Sequence, residues 1–189
     1  MERVSVTDVD PVPVGEASER RGLADALETT NLALNQYRLA AGEGLPGGLH
    51  AHMDQEEVFV VLEGEAIFET LDGELSVPEG NIIRFAPGEF QSGRNAGESP
   101  LIVLALGAPR ETEDMRIPMA CPDCDHENLR LDTVDLLTFV CPGCDATHEP
   151  RDCPDCGHET LKITLDDRTR PVVLCPRCDA TFESIPLQT

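Results

Sequence analysis

The chain has no tryptophan, one tyrosine and one lysine, and its first 120 residues contain no cysteine. With aromatic residues at only 4%, a core has to rest mainly on Val, Leu and Ile. No apolar run approaches the roughly 18 residues that cross a membrane as a helix. The first residues, Met1-Glu-Arg-Val-Ser-Val-Thr-Asp8, lack the apolar stretch of a signal peptide. A cytoplasmic protein without membrane contact is therefore expected.

What is abundant is acid. Thirty-six Asp and Glu oppose fourteen basic residues, a net charge of −22 over 189 residues. Such an excess repels nucleic acid and anionic membranes, so neither is expected as a partner. Acid excess beside a lone lysine, Lys162, resembles the composition of proteins from salt-adapted cells, whose carboxylate surfaces work under heavy screening. A halophilic, archaeal source is expected from that resemblance.

All eight cysteines fall between Cys121 and Cys178, in four Cys-x-x-Cys pairs. Paired in this way, in a chain with no export signal, they favour metal ligation over disulfides. The region repeats internally. Cys121-Pro-Asp-Cys124-Asp-His-Glu matches Cys153-Pro-Asp-Cys156-Gly-His-Glu, and Cys141-Pro-Gly-Cys144-Asp-Ala-Thr matches Cys175-Pro-Arg-Cys178-Asp-Ala-Thr. The repeat assigns Cys121, Cys124, Cys141 and Cys144 to one metal, and Cys153, Cys156, Cys175 and Cys178 to a second. After each pair, Gly157 suits a left-handed backbone, and Asp125, Asp145 and Asp179 tolerate it. Each unit, 119–149 and 151–186, resembles a zinc ribbon. Four thiolates close the coordination shell, so the expected role of each Zn2+ is structural. Iron in a rubredoxin-like electron-transfer site is the rival. The three nearby histidines, His126, His148 and His158, are read as surface residues rather than ligands.

The first part of the chain alternates short strand-like runs with turn signals, as in a barrel or sandwich. Expected strands are 31–39, 49–52, 57–62, 66–71, 74–77, 81–85 and 101–106, with Asp72-Gly73 as a hairpin turn. Residues 1–28 are acidic and irregular, set either to cover a sheet edge or to stay mobile. The polar run Pro109–Pro118 reads as a linker. Val58-Phe-Val-Val-Leu62 is apolar on both faces. One face needs cover from another element or a second subunit, and a homodimer is expected.

The residues with most chemistry lie in Gly44–Gly64. His50 and His52 sit at i and i+2, where a strand projects both side chains from one face. Glu57 opens the next strand and can bring a carboxylate to the same point. Two imidazoles and one carboxylate suit a divalent metal. The spacing Gly44, His50, His52, Glu57, Gly64 resembles the first motif of the cupin family. Gly80, Gly88 and Asn95 fit the second, with Ala86 in its proline slot and Gln91 where that motif has histidine.

The resemblance implies an all-β chain: a cupin-type double-stranded β-barrel over 1–112, with an N-terminal extension, followed by the two zinc ribbons. It implies a barrel metal on His50, His52 and Glu57, with Gln91 either completing the shell or bonding a ligand. Fe, Mn, Ni and Zn are not separated by these residues. Arg84, Arg94 and Tyr37 are weaker candidates for ligand contact. The expected function is a metal-binding cupin that takes a small polar molecule, its ribbons serving protein contact. The alternative is a metal-dependent enzyme of dioxygenase, isomerase or decarboxylase type. A weaker third reading pairs ribbon iron with barrel iron.

Overall fold

The computed structural model describes residues 1–134 and 136–188. The first part holds ten strands: β1 (Val12–Pro13), β2 (Glu19–Gly22), β3 (Ala33–Leu39), β4 (Ala51–His52), β5 (Glu56–Glu63), β6 (Glu65–Thr70), β7 (Gly73–Pro78), β8 (Ile82–Phe85), β9 (Gln91–Asn95) and β10 (Leu101–Ala108). One short helix, α1 (Leu23–Ala26), precedes β3. A six-stranded sheet in the order β1-β2-β3-β10-β5-β8 faces a three-stranded sheet in the order β7-β6-β9. Every pairing in both sheets is antiparallel. The seven expected strands are present, with bounds shifted by a few residues.

Residues 1–28 take the first of the two outcomes expected for them: β1 and β2 extend the large sheet beyond β3. The strand β9, Gln-Ser-Gly-Arg-Asn, has no β-branched residue and gave no sequence signal. Tertiary fit makes it a strand. A Cβ at Gly93 would lie 2.7 Å from Leu45 and 2.8 Å from Phe68, so only glycine lets this strand close on the core.

That core is Leu39, Leu45, Phe59, Val61, Ala66, Phe68, Val77, Phe85, Leu101 and Val103. The rings of Phe59, Phe68 and Phe85 meet with centroids 5.0–6.0 Å apart. Three of the six phenylalanines in an aromatic-poor chain are thus concentrated at the barrel centre. Along β5, Phe59 and Val61 are buried, whereas Leu62 on the opposite face is exposed.

The second part holds β11 (Met115–Ile117), β12 (Leu129–Asp132), β13 (Thr138–Val140), β14 (Thr147–His148), β15 (Lys162–Leu165), β16 (Pro171–Leu174) and β17 (Thr181–Phe182). The second cysteine unit is a three-stranded sheet, β15-β16-β17, and the first contributes β12, β13 and β14 to a five-stranded sheet in the order β14-β13-β12-β11-β4. A second core of Ile117, Met119, Leu129, Phe139 and Val173, flanked by Leu161, Ile163 and Phe182, joins both units.

The run 109–118 is not a free linker. Within it β11 pairs with β12 on one side and with β4 on the other, placing Met115 opposite His52 and Arg116 opposite Ala51. The pattern is short enough to read as a polar loop. Ile117 is nevertheless buried, and Arg116 is anchored by Asp114 and Asn128. The strand bearing the histidines is therefore bonded to the barrel on one edge and to the first cysteine unit on the other.

Candidate metal centre

His50 lies just before β4 and exchanges main-chain hydrogen bonds with Gln91, at 2.8 and 3.1 Å. His52 closes β4, and Glu57 points inward from β5 beside Phe59. One ligand atom from each of His50, His52 and Glu57 lies within 4.8 Å of the others. The neighbouring Glu56 points outward and pairs with Arg84.

Both imidazoles are oriented through the nitrogen that faces away from the centre. His50 Nδ1 is 2.8 Å from the Gly48 carbonyl oxygen and donates to it. The Thr112 hydroxyl donates to Asp54 Oδ1, so its oxygen is free to accept from His52 Nδ1 at 3.2 Å. Asp54 is fixed in turn by the Glu113 N–H. Each His thus presents an unprotonated Nε2, the form a metal requires. His52 Nε2 stands 3.6 Å from Glu57 Oε1.

Gln91 lies beside Glu57. Its Nε2 donates to Glu57 Oε2 at 2.9 Å, and its Oε1 is buried with no hydrogen-bond partner. A buried amide oxygen without a partner is costly, and a cation or a bound donor would satisfy it. The donor set, the tautomers and this orphaned oxygen together fit a divalent metal.

These side chains open on a cavity of about 250 Å3, also lined by Asn35, Tyr37, Gln55, Arg110 and Thr112. Burial raises the pKa of Tyr37, and Arg20 opposes it in part, so the phenol remains a hydrogen-bond donor at neutral pH. Arg110 is the one basic side chain among the lining residues. It bonds to the Thr29 carbonyl and to the exposed Asp25. Of the weaker sequence candidates only Tyr37 reaches the cavity. Arg84 is half-exposed and held by Glu56, and Arg94 turns outward to Glu74. Thr112, Asp54, Arg110 and Asn35 were not marked by any motif, and two of them lie in the run that reads as a linker.

Burial raises the Glu57 pKa to about 7, with the Gln91 hydrogen bond opposing. Burial, followed by the charge of His50, lowers His52 to about 4. Between these values the imidazole is neutral while the carboxyl is largely protonated, so a metal must displace one proton. Affinity for Mn2+ is expected to fall about tenfold per pH unit below about pH 7 and to level off above it. Without metal the sign for stability is fixed too. The folded state binds this proton more tightly than the unfolded state does. Glu57 therefore costs stability as pH rises from the ordinary carboxylate range through about 7, by about 3 kcal/mol in full. Manganese titrations between about pH 5.5 and 8 check this; a flat affinity profile would refute it.

The cysteines form two separate quartets divided as the repeat requires. Sulfur separations are 3.5 Å for Cys124–Cys141, 3.8 Å for Cys121–Cys144, 3.6 Å for Cys156–Cys175 and 3.7 Å for Cys153–Cys178. A tetrahedral zinc with bonds of about 2.3 Å sets its sulfurs about 3.8 Å apart. Disulfides would need about 2 Å. The residues expected to turn left-handed do so: Asp125, Asp145 and Asp179 at φ of 57–59° and Gly157 at 69°. His148 Nε2 lies 3.7 Å from Cys121 Sγ, and the repeat places Phe182 at the matching position of the second unit.

Residues 35–107 match the cupin domain family. Similar solved structures include a sugar phosphate isomerase of the cupin superfamily from Silicibacter pomeroyi, with 21% identity over 73% of this chain and 91% of that one and a TM-score of 0.58. A polyketide cyclase from Streptomyces resistomycificus shares 23% identity over 65% of this chain and 89% of its own, with a TM-score of 0.53. A predicted oxalate decarboxylase from Thermotoga maritima shares 22% over 57% and 98%, with a TM-score of 0.51. At these identities the likeness is one of fold. No curated protein matches the chain. Residues 35–107 thus match a cupin domain, and two four-cysteine clusters follow them.

Proposed function

We propose that the barrel binds one divalent metal through His50, His52 and Glu57 and presents it to a small polar molecule, while the cysteine quartets hold two structural zinc ions as zinc ribbons. The observation that carries this reading is the pair of imidazoles, each fixed by a hydrogen bond at Nδ1, converging with Glu57 beside the unpartnered Gln91 oxygen. A divalent ion with one carboxylate leaves a charge of +1 at the cavity base, while Arg110 at its wall is paired with Asp25 and Glu111. This supports an oxygen-rich, anionic ligand, with Tyr37, Asn35 and Thr112 offering hydrogen bonds. Metal analysis of the intact protein tests it. Two zinc ions and one further metal per chain are expected; two zinc ions with a barrel that takes up none would refute it.

The enzymatic reading draws on the open face of the same centre. His50, His52 and Glu57 supply three donors, and the metal would act there as a Lewis acid or oxygen activator. The Tyr37 hydroxyl, held protonated by burial, lines the same cavity. Turnover of a small oxyacid that depends on the barrel metal would favour catalysis over binding alone.

Two surfaces support partners. On the outer face of the large sheet, Val58, Val60, Leu62, Ile82 and Leu104 lie side by side by strand register, and Ile82 is 65% exposed. A second copy covering this face would make a homodimer. Val60→Glu is expected to convert a dimer to a monomer in light scattering; a wild-type protein that is already monomeric at micromolar concentration would sink the idea. Val134 and Leu136 in the first ribbon are 87% and 75% exposed, which supports a protein contact there. The carboxylate-rich surface supports a cytoplasm of high salt, as in halophilic archaea.

A further inference from the structure

We propose that the second cysteine unit is a working part of the barrel's metal centre: the zinc on Cys153, Cys156, Cys175 and Cys178 holds β15 against the loop that carries His50, and so sets the affinity of the His50/His52/Glu57 centre. The proposal rests on the reading of both sites as metal sites.

The loop leading to His50 is Gly44-Leu-Pro-Gly-Gly-Leu49, a sequence with little structure of its own. Leu45 bonds to Gly93 at one end and His50 to Gln91 at the other. Between them, among the described residues, the one main-chain hydrogen bond is from the Leu49 N–H to the Ile163 carbonyl of β15, at 2.8 Å. Gly48 lies so close that a Cβ on it would stand 2.8 Å from the same carbonyl oxygen, and its φ is +65°. The Gly48 carbonyl is the group that accepts from His50 Nδ1. Ile163 is therefore one residue removed from the atom that sets the His50 tautomer and ring orientation. Two further contacts pin β15 in place: Thr164 Oγ1 donates to Glu69 of β6 at 3.0 Å, and the aliphatic stem of Lys162 packs over Gly48.

The hold on the loop depends on a unit that cannot hold itself. Among the described residues β15 pairs only with β16, in a three-stranded sheet. A unit of this size lacks the buried surface to fold without its metal. Removing that zinc frees β15, leaves the Leu49 N–H without its acceptor and lets Gly48 depart from His50. Gly48 is the support one step behind the ligand, and loss of such a support typically changes metal affinity 10- to 100-fold. By linkage the effect is reciprocal.

The test uses full-length protein and Mn2+, a hard ion that thiolate sites disfavour. Wild type and the C175A/C178A variant are first assayed for zinc. Two ions against one are expected; a wild type with no zinc in its cysteine sites overturns the zinc reading itself, a result distinct from the one tested next. Hydrogen exchange then reads the Leu49 amide, expected to be protected in wild type and open in the variant, while Val61 and Val103 in the barrel core stay protected. Manganese affinity is read from the free-ion spin resonance signal and is expected to fall at least about tenfold in the variant. Unchanged affinity overturns the proposal. Should the variant fail to fold, reciprocity supplies a measurement on wild type alone. In equilibrium competition with a zinc chelator, Mn2+ in the barrel is expected to make one of the two zinc ions harder to extract by the same factor, and equal extraction with and without Mn2+ overturns the proposal.

Discussion

His50→Ala abolishes barrel metal binding and leaves both cysteine-bound zinc ions in place; this is the largest expected effect of a single substitution on the chain's chemistry. His50 is buried and fixed at Nδ1 by Gly48, so its Nε2 is committed to the centre. Its loss leaves His52, Glu57 and the neutral Gln91 amide. Because loss of an outer partner alone costs 10- to 100-fold in metal affinity, loss of a ligand should cost more than about 100-fold. The measurement is metal content after dialysis, paired with thermal melting. At 100 times its dissociation constant a metal stabilises the folded state by about 2.7 kcal/mol, or roughly 5–11 °C for a chain of this size. Wild type should show that rise with Mn2+ and the variant none. A variant that retains stoichiometric barrel metal would remove His50 from the ligand set. Loss of both zinc ions would show that the variant had unfolded rather than lost one donor.

Much of this centre was legible in the sequence because its residues are local. His50, His52 and Glu57 fall within eight positions, and strand periodicity alone directs the two histidines to one point. The cysteine quartets were legible for a different reason: the repeat fixes which four sulfurs belong together, and the left-handed residues after each pair follow from knuckle geometry. What was not legible is non-local. Thr112 approaches His52 from sixty residues away, and nothing in its neighbourhood marks it. The stretch around it reads as a linker because β11 is three residues long. Its pairing with β4 depends on where the barrel has already placed that strand. The arginines failed as candidates for a related reason. Arg84 and Arg94 are close in sequence to the second motif, but each sits at a position where strand alternation sends it outward, opposite an acid that neutralises it. Arg110, without a motif, reaches the cavity because β10 ends beside Glu57 in the register Gly107 to Glu57.

Stripping zinc is the second large effect, and it should divide the molecule unequally. The barrel core and the ribbon core are separate clusters with no residue in common, and only the ribbon core includes metal-binding cysteines. Structural zinc in small domains contributes about 10–16 kcal/mol of binding free energy, more than the second cluster's few large side chains can replace. Chelation under reducing conditions is therefore expected to unfold residues from about 119 onward while the barrel keeps its Phe59–Phe68–Phe85 core. Trypsin reads the boundary. Arg130, Arg151, Lys162, Arg168 and Arg177 lie in the zinc-dependent part and should become cut within minutes of zinc removal. Arg38, Arg84 and Arg94, on barrel strands, should resist. The barrel should not come through unchanged, because β11 leaves the edge of β4 when the sheet it belongs to dissolves. Among the described residues, the main-chain bonds left to the His50–His52 segment are then those of His50 to Gln91 and of His52 to Gly88, and barrel metal affinity should fall with it. Equal protease resistance before and after zinc removal would show that the cysteine units fold without metal, and the assignment of a structural role to those eight thiols would be lost.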